Sequence, residues 1–211
     1  VLDPSGNPVL AYQDWLNGTQ KATVKRWDGS NWQVVGAQGF SADRADYISL
    51  ALDSSGNPVV AYQDYANGQK ATVERWDGMS GHAVGRAGFS PGPAYYPSRA
   101  LDSTGNPVVA YQDWGNGYKA TVQHWDGSGW QLVGAPGFSA GQAQFTCLAL
   151  DSTGNPVVAY NDGDPGGSAT VQRWDGGNWQ VMGAPGFSAS ITDGSSRWLQ
   201  LDASDRMVVA Y

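Results

Sequence analysis

The sequence predicts an all-β fold, a β-propeller built of four-stranded antiparallel blades, with four full repeats and a partial blade at the C-terminal end. Three observations lead to this prediction. A unit of about 49 residues recurs along the chain, each copy holds four short strand-like segments, and turn-forming residues are abundant. The 211 residues include 29 Gly and 11 Pro together with 10 Trp and 10 Tyr, while only 15% are charged, as expected for short strands joined by tight turns.

The repeat is marked by a Leu-Asp pair that opens the motif LDSxGNPVVAYQD. Its aspartate recurs every 49 to 51 residues, at Asp3, Asp53, Asp102, Asp151 and Asp202. A period of this length with four strands matches a propeller blade, whereas the repeats of a solenoid or β-helix, the alternative architecture, are usually shorter. We therefore expect one propeller, or a fragment of one, over residues 1–211, with repeats 1–51, 52–100, 101–149 and 150–200 and a partial repeat 201–211.

The first repeat shows how the segments are assigned. The apolar run 9–12 follows the turn residues Ser-Gly-Asn-Pro, which indicates a strand buried on both faces. Residues 21–27 alternate as a second strand, and residues 32–36 follow a tight Asp-Gly turn as a third. Residues 47–53 lead into the next repeat, and their small side chains predict the innermost strand of a blade.

The strand count leaves the size of the ring open. The VVAY strand occurs five times, but the two segments that follow it occur four times. A closed ring of four blades has no place for the fifth copy, and a ring of five lacks half a blade. We expect either that neighbouring chains complete the ring or that the chain belongs to a ring of five to eight blades.

Charge and composition exclude several partners. The net charge is −7 and the isoelectric point is about 4.5, so binding to a phosphate backbone has no electrostatic basis. The longest apolar runs are far shorter than the roughly 20 residues that cross a bilayer, and we expect no membrane insertion. Cys147 stands where other repeats carry Ser49 and Ser98, which predicts a small buried residue. The acidic turns lack the terminal Glu of a dedicated calcium loop, so we expect no metal and no cofactor.

Catalysis is weakly supported by the sequence. The chain has two histidines, and neither recurs. His124 replaces Arg26, Arg75 and Arg173, which indicates a packed or surface substitute, while His82 lies where its repeat has lost the second Trp. The acidic residues repeat in every copy, as structural residues do, whereas a glycosidase needs a unique pair. We therefore predict a protein that is not an enzyme.

The loops that follow the VVAYQD strands form the candidate binding site. These loops and the Gly-Phe-Ser links should share one end of each blade, because successive hairpins alternate between the two ends. An aromatic ring beside a carboxylate and an amide can hold a sugar, since the ring stacks on its C–H face and the polar groups bond its hydroxyls. The candidate ligand-binding residues of these rim loops are Asp14, Trp15, Asn17, Asp64, Tyr65, Asn67, Asp113, Trp114, Asn116 and Asp162.

A structural role competes with this interpretation. The aspartates can cap their own loops by accepting hydrogen bonds from backbone amides. The first Trp of each WDG motif, at positions 27, 76, 125 and 174, is expected to fill the space between blades.

The segments WDGSNWQVVG (27–36) and LDSSGNPVVAYQD (52–64) resemble the tandem-repeat propeller arrays of bacterial secreted and cell-surface proteins. The resemblance implies binding, adhesion or scaffolding at an extracellular or cell-surface location. The favoured function is a lectin-like adhesion propeller with glycans or surface polysaccharide as partners. The alternatives are a scaffold or protein–protein interaction module that self-associates through unmatched strands and, less favoured, a glycoside-hydrolase propeller.

Overall fold

The computed structural model describes residues 1–15, 18–163, 167–189 and 198–210, and these residues are almost entirely β-strand and turn. The fold class predicted from the sequence is confirmed, since the strands form antiparallel sheets of propeller-blade type. Chain contacts divide the protein into two compact units, Val1–Pro93 and Ala94–Tyr211. A single domain over residues 1–211 stays a prediction.

The first unit contains a three-stranded and a four-stranded sheet, in which strands that are neighbours in sequence pair with each other. Blade 1 consists of β1 (Val9–Asp14), β2 (Lys21–Trp27) and β3 (Trp32–Val34), and blade 2 consists of β4 (Ala45–Leu52), β5 (Pro58–Asp64), β6 (Lys70–Trp76) and β7 (Gly81–Ala83).

The second unit contains two four-stranded sheets and a hairpin. Blade 3 consists of β8 (Ala94–Leu101), β9 (Pro107–Asp113), β10 (Lys119–Trp125) and β11 (Trp130–Leu132), and blade 4 consists of β12 (Ala143–Leu150), β13 (Pro156–Asp162), β14 (Ser168–Trp174) and β15 (Trp179–Val181). The terminal hairpin consists of β16 (Trp198–Leu201) and β17 (Met207–Ala210).

The LDSxGNP motif lies inside a blade, at the hairpin between its first two strands. In blade 2 the Asp53 carboxylate accepts hydrogen bonds from the backbone amides of Ser55 and Asn57, both at 2.9 Å. This closes a tight turn between β4 and β5. Each four-stranded blade therefore begins with the segment that ends the preceding sequence repeat.

The first strands of successive blades contact one another in the second unit, as expected of innermost strands. Ser98 on β8 accepts a hydrogen bond from the Leu148 amide on β12 at 3.0 Å. Cys147 on β12 accepts one from the Leu199 amide on β16 at 3.2 Å through its sulfur. The half-buried Cys147 thus takes the role of the serine it replaces, and burial raises the pKa of its thiol.

An aromatic β-bulge interrupts each four-stranded blade near the start of its first strand. The pairing register shifts there, and Tyr47, Tyr96 and Phe145 adopt φ of 51°, 51° and 53°. The left-handed region costs an L-residue about 1–2 kcal/mol, so packing around the bulge must offset this strain. The sequence did not predict these bulges, and the strands begin two residues earlier than expected.

The core lies between facing blades within each unit. The strands β5, β9 and β13 are buried along their whole length, which confirms the prediction for these three VVAY segments. In β1, the segment on which the prediction was made, Val9 is buried but Leu10 is 47% exposed, so the prediction is wrong for that copy. Clusters of Val and Tyr from these strands pack against the facing blade. No helix in the described ranges is long and apolar enough to cross a membrane.

Candidate functional site

The aspartates of the rim loops serve the loops themselves. Asp64 is 2% exposed, and its carboxylate accepts hydrogen bonds from the Ala66 amide at 3.0 Å, the Asn67 side chain at 2.8 Å and the Thr72 hydroxyl at 2.7 Å. Asp113 is equally buried and repeats this pattern with Gly115, Asn116 and Thr121. Each aspartate caps a short 3-10 turn that ends in a left-handed glycine. These two carboxylates therefore cap their own loops, which was the structural alternative to ligand binding.

The remaining predicted rim residues differ in exposure. Trp15 and Trp114 are 66% and 52% exposed, whereas Tyr65 is half-buried. Asp14 accepts hydrogen bonds from Thr23 at 3.2 Å and Gln38 at 2.8 Å. Asp162 is buried at the end of β13, and Asn17 lies outside the described residues. Ligand binding by the rim loops stays a prediction, and its exposed members among the described residues are Trp15, Trp114 and Asn116.

The Gly-Phe-Ser links lie at the same end of the blade as the rim loops, as predicted. The Thr72 hydroxyl, which donates to Asp64, accepts a hydrogen bond from the Gly88 amide at 2.8 Å. A β-carbon added to Gly88 would lie 2.7 Å from the β-carbon of Asn67. The recurring Asp, Thr and Gly residues thus form one buried hydrogen-bonded chain that holds the link against the loop.

The opposite end of the second unit carries an open cleft between blades 3 and 4. Its volume is about 600 Å³. Polar groups from the two LDSTGNP turns line it together with apolar residues of both blades. The lining includes Asp102, Ser103, His124, Asp151, Ser152, Thr153, Asn155 and Trp174, with Leu101, Val108, Val133 and Leu150 behind them.

His124 opens this cleft because it is shorter than the arginine it replaces. In the first unit the equivalent Arg26 crosses from blade 1 to the Gly56 carbonyl of blade 2 and closes the corresponding gap. His124 makes only the contact within its own blade, where its Nε2 lies 2.9 Å from the Asp102 carboxylate; Arg26 makes this contact too, at 3.7 Å from Asp3. The predicted packed or surface substitute is therefore a half-buried cleft residue.

A different contact bridges blade 4 to the terminal hairpin. Asp205 occupies the position of a turn glycine, and its carboxylate accepts hydrogen bonds from the Ser152 amide at 2.8 Å and hydroxyl at 2.6 Å. The cleft between blades 3 and 4 lacks both the arginine and the aspartate bridge, which explains its volume.

The two tryptophans of blade 4 place one indole in the cleft. Trp179 stacks on Phe138 of blade 3 at 3.9 Å and 8°, and its Nε1 donates to the Val133 carbonyl at 3.1 Å. In blade 2 the position of Trp179 is Gly81, and Trp76 turns inward against Phe40 at 4.7 Å. The prediction that the first Trp fills the space between blades is confirmed for Trp76, which is 1% exposed. Trp174, displaced by Trp179, lines the open cleft instead.

The two aspartates of the cleft are held in the charged form. Burial raises the pKa of Asp102, but hydrogen bonds from Thr104, Asn106 and His124 outweigh it and leave this pKa below the ordinary value. The pKa of Asp151 is lowered in the same way, with an ion pair to Arg173 in place of the histidine. Both carboxylates can accept hydrogen bonds but cannot supply a proton at neutral pH.

Comparison with known proteins identifies the fold. No protein-family model and no curated protein matches the chain. Among solved structures, the SapL1 lectin in complex with α-methyl fucoside is 22% identical with a TM-score of 0.61, covering 92% of this chain and 68% of the lectin. A six-bladed fucose-recognising lectin from Aleuria aurantia is 17% identical with a TM-score of 0.59, covering 81% of this chain and 54% of the lectin.

An enzyme is also among the similar structures. The endo-arabinase from Bacteroides thetaiotaomicron is 11% identical with a TM-score of 0.52, covering 99% of this chain and 90% of the enzyme. At these identities the likeness shows the β-propeller fold alone.

Proposed function

We propose that the chain is a non-catalytic, lectin-like carbohydrate-binding propeller and that the cleft between blades 3 and 4 holds the sugar. The observation that carries the proposal is the cleft itself, which is open where His124 replaces an arginine and which offers an indole beside several polar groups. The fucose-lectin propellers among the similar structures support the choice of ligand class.

The lining suits a sugar ring in size and chemistry. The Trp174 indole supplies an apolar face for the C–H groups of the ring. The Ser152 hydroxyl, which donates to Asp205, can still accept a hydrogen bond, and so can the side-chain oxygen of Asn155. The bond from His124 Nε2 to Asp102 leaves Nδ1 for a ligand hydroxyl. Each such hydrogen bond contributes about 1 kcal/mol, so we expect weak affinity per site and a gain from multivalent display.

The same electrostatics favour binding over hydrolysis. A glycosidase needs one carboxylic acid whose pKa is raised so that it can protonate the leaving group. The two cleft aspartates have lowered pKa values and already accept several hydrogen bonds each. We therefore propose that the cleft carries out no bond cleavage.

A glycan array tests this proposal, with His124→Arg as the closing variant. The chain carries arginine at this position in its other repeats, so the substitution is compatible with the fold. We expect the wild type to bind a defined class of glycan and His124→Arg to lose at least tenfold in affinity, on the order of 1.4 kcal/mol. Trp114→Ala serves as the rim control and should bind like the wild type. Loss of binding in Trp114→Ala with retention in His124→Arg would move the site to the rim loops.

We also propose an extracellular or cell-surface location, with glycans or surface polysaccharide as partners. Cell fractionation with an antibody against the chain tests the location. Self-association as a scaffold is the alternative role, and sedimentation at several protein concentrations separates the two. A mass that rises with concentration, combined with a blank array, would favour the scaffold.

A further inference from the structure

A second cluster of polar side chains lies in the first unit, at the end of blades 1 and 2 that carries the rim loops. Arg44 and Asp46 stand at the start of β4 and form a charge pair that the next two repeats lack. The equivalent positions there hold Pro93 and Tyr95, and then Gln142 and Gln144. This departure from the repeat is confined to side chains, because the backbone around it follows the blade pattern.

The Arg44 guanidinium contacts Asp46 and Tyr65, and Gln13 in turn holds Asp46. Its Nε and Nη2 donate to the two Asp46 carboxylate oxygens at 2.8 and 2.6 Å. The guanidinium carbon lies 4.6 Å from the centre of the Tyr65 ring. The Gln13 side chain of blade 1 donates to Asp46 at 2.6 Å and to the Ala45 carbonyl at 3.1 Å. These contacts hold the cluster without a ligand, as a preformed site requires.

An open cavity of about 460 Å³ adjoins the cluster. It is lined by Arg44, Asp46 and Gln13 together with Ala11, Tyr12, Tyr47 and Ile48. Arg44 is 43% exposed at its side chain, whereas Asp46 is 12% exposed. Nε and Nη2 are used in the bonds to Asp46 and the arginine side chain is partly exposed, so its Nη1 group can donate to a ligand while the aspartate orients the guanidinium.

The charge balance selects a neutral ligand. Asp46 neutralises Arg44 through two short hydrogen bonds, so an anion entering the cavity would gain little net attraction. Hydroxyl groups can instead accept from the guanidinium and donate to the Gln13 carbonyl oxygen. The Tyr12 and Tyr47 rings beside these groups offer apolar surface to a C–H face.

We propose that this cavity is a second carbohydrate site, specific for a neutral sugar residue with adjacent hydroxyl groups. Arg44 and Gln13 bind the hydroxyls, and Asp46 is a positioning residue that orients Arg44. The proposal rests on the proposed function for its ligand class but not for its location, because no residue of this cavity belongs to the cleft of the second unit.

The double variant Arg44→Gln/Asp46→Gln provides the test. It introduces the residues that repeat 101–149 carries at these positions. The backbone role is preserved there, because the Gln142 carbonyl accepts from the Gly163 amide at 2.8 Å as the Arg44 carbonyl accepts from the Tyr65 amide at 3.1 Å. Three proteins are compared on an array of immobilised neutral glycans. They are the double variant, His124→Arg, and a combined variant that carries all three substitutions. Titration calorimetry with the methyl glycoside of the strongest signal follows.

We expect His124→Arg to retain binding to a subset of neutral glycans and the combined variant to lose that subset by at least about tenfold. Equal binding by His124→Arg and the combined variant, or a blank array for His124→Arg, would overturn the second site and leave the cleft proposal untouched. Binding that survives His124→Arg unchanged but disappears in the double variant would support the second site and refute the cleft.

Discussion

The substitution Gly134→Ala tests the packing of the two tryptophans of blade 4, because it adds one methyl group beside them. Gly134 has φ of +72°, and a β-carbon there would lie 2.5 Å from Cζ3 of Trp174 and 2.9 Å from Nε1 of Trp179. Gly183 is its counterpart one repeat later, with φ of +78° and no described heavy atom within 4 Å of an added β-carbon. The two glycines share their backbone conformation and differ in what the methyl group would meet.

Gly183→Ala should cost about 1–2 kcal/mol, the strain of an L-residue in the left-handed region. Gly134→Ala carries the same strain and an overlap with two indoles, which adds about 1–3 kcal/mol. Urea unfolding followed by far-ultraviolet circular dichroism measures both free energies of unfolding without depending on tryptophan emission. Equal destabilisation of the two variants would refute the packing of Trp174 and Trp179 described above.

Three further substitutions test the roles assigned to buried polar groups. Asp113→Asn leaves one acceptor oxygen for three donors and should lower the free energy of unfolding by about 2 kcal/mol, as measured by urea titration, while array binding is unchanged. Burial raises the pKa of Glu74, against the hydrogen bond it accepts from Tyr62, so the wild type loses stability as the pH rises through that pKa. Glu74→Gln should therefore be more stable than the wild type at pH 7, and this gain should vanish below pH 4.5, the ordinary glutamate value; a constant difference across pH would contradict the assigned shift. Cys147→Ser keeps an acceptor for the Leu199 amide and should change the free energy of unfolding, measured by urea titration, by less than about 1 kcal/mol. A larger loss would contradict the role of Cys147 as a replacement for serine.

The fold was readable from the sequence because its signals are local and repeated. The turn motifs, the apolar VVAY runs and the period of the aspartates each predict one element, and the elements agree across the copies. The aromatic bulges escaped prediction, since no glycine marks the left-handed positions at Tyr47, Tyr96 and Phe145. Their conformation is set by pairing with the neighbouring strand and by contacts between inner strands, which a single repeat does not show.

The candidate sites lie where the copies differ, and sequence reasoning gave more weight to where they agree. The recurring Asp64 and Asp113 cap their loops, and their recurrence in the sequence is typical of such a structural role. The signal for the cleft was present in the replacement of an arginine by His124. Its meaning depended on knowing that Arg26 reaches the facing blade, a contact between residues 30 positions apart that periodicity does not reveal.

The arginine bridge of the first unit has a consequence for how such arrays diversify. Arginine and histidine codons can differ by a single base, and the backbone of this residue keeps its strand pairing with either side chain. A closed gap between blades can therefore become an open one without a change in the fold. An array of near-identical repeats therefore contains several gaps of this kind, and each can acquire its own ligand preference while the sheets of the neighbouring blades stay the same.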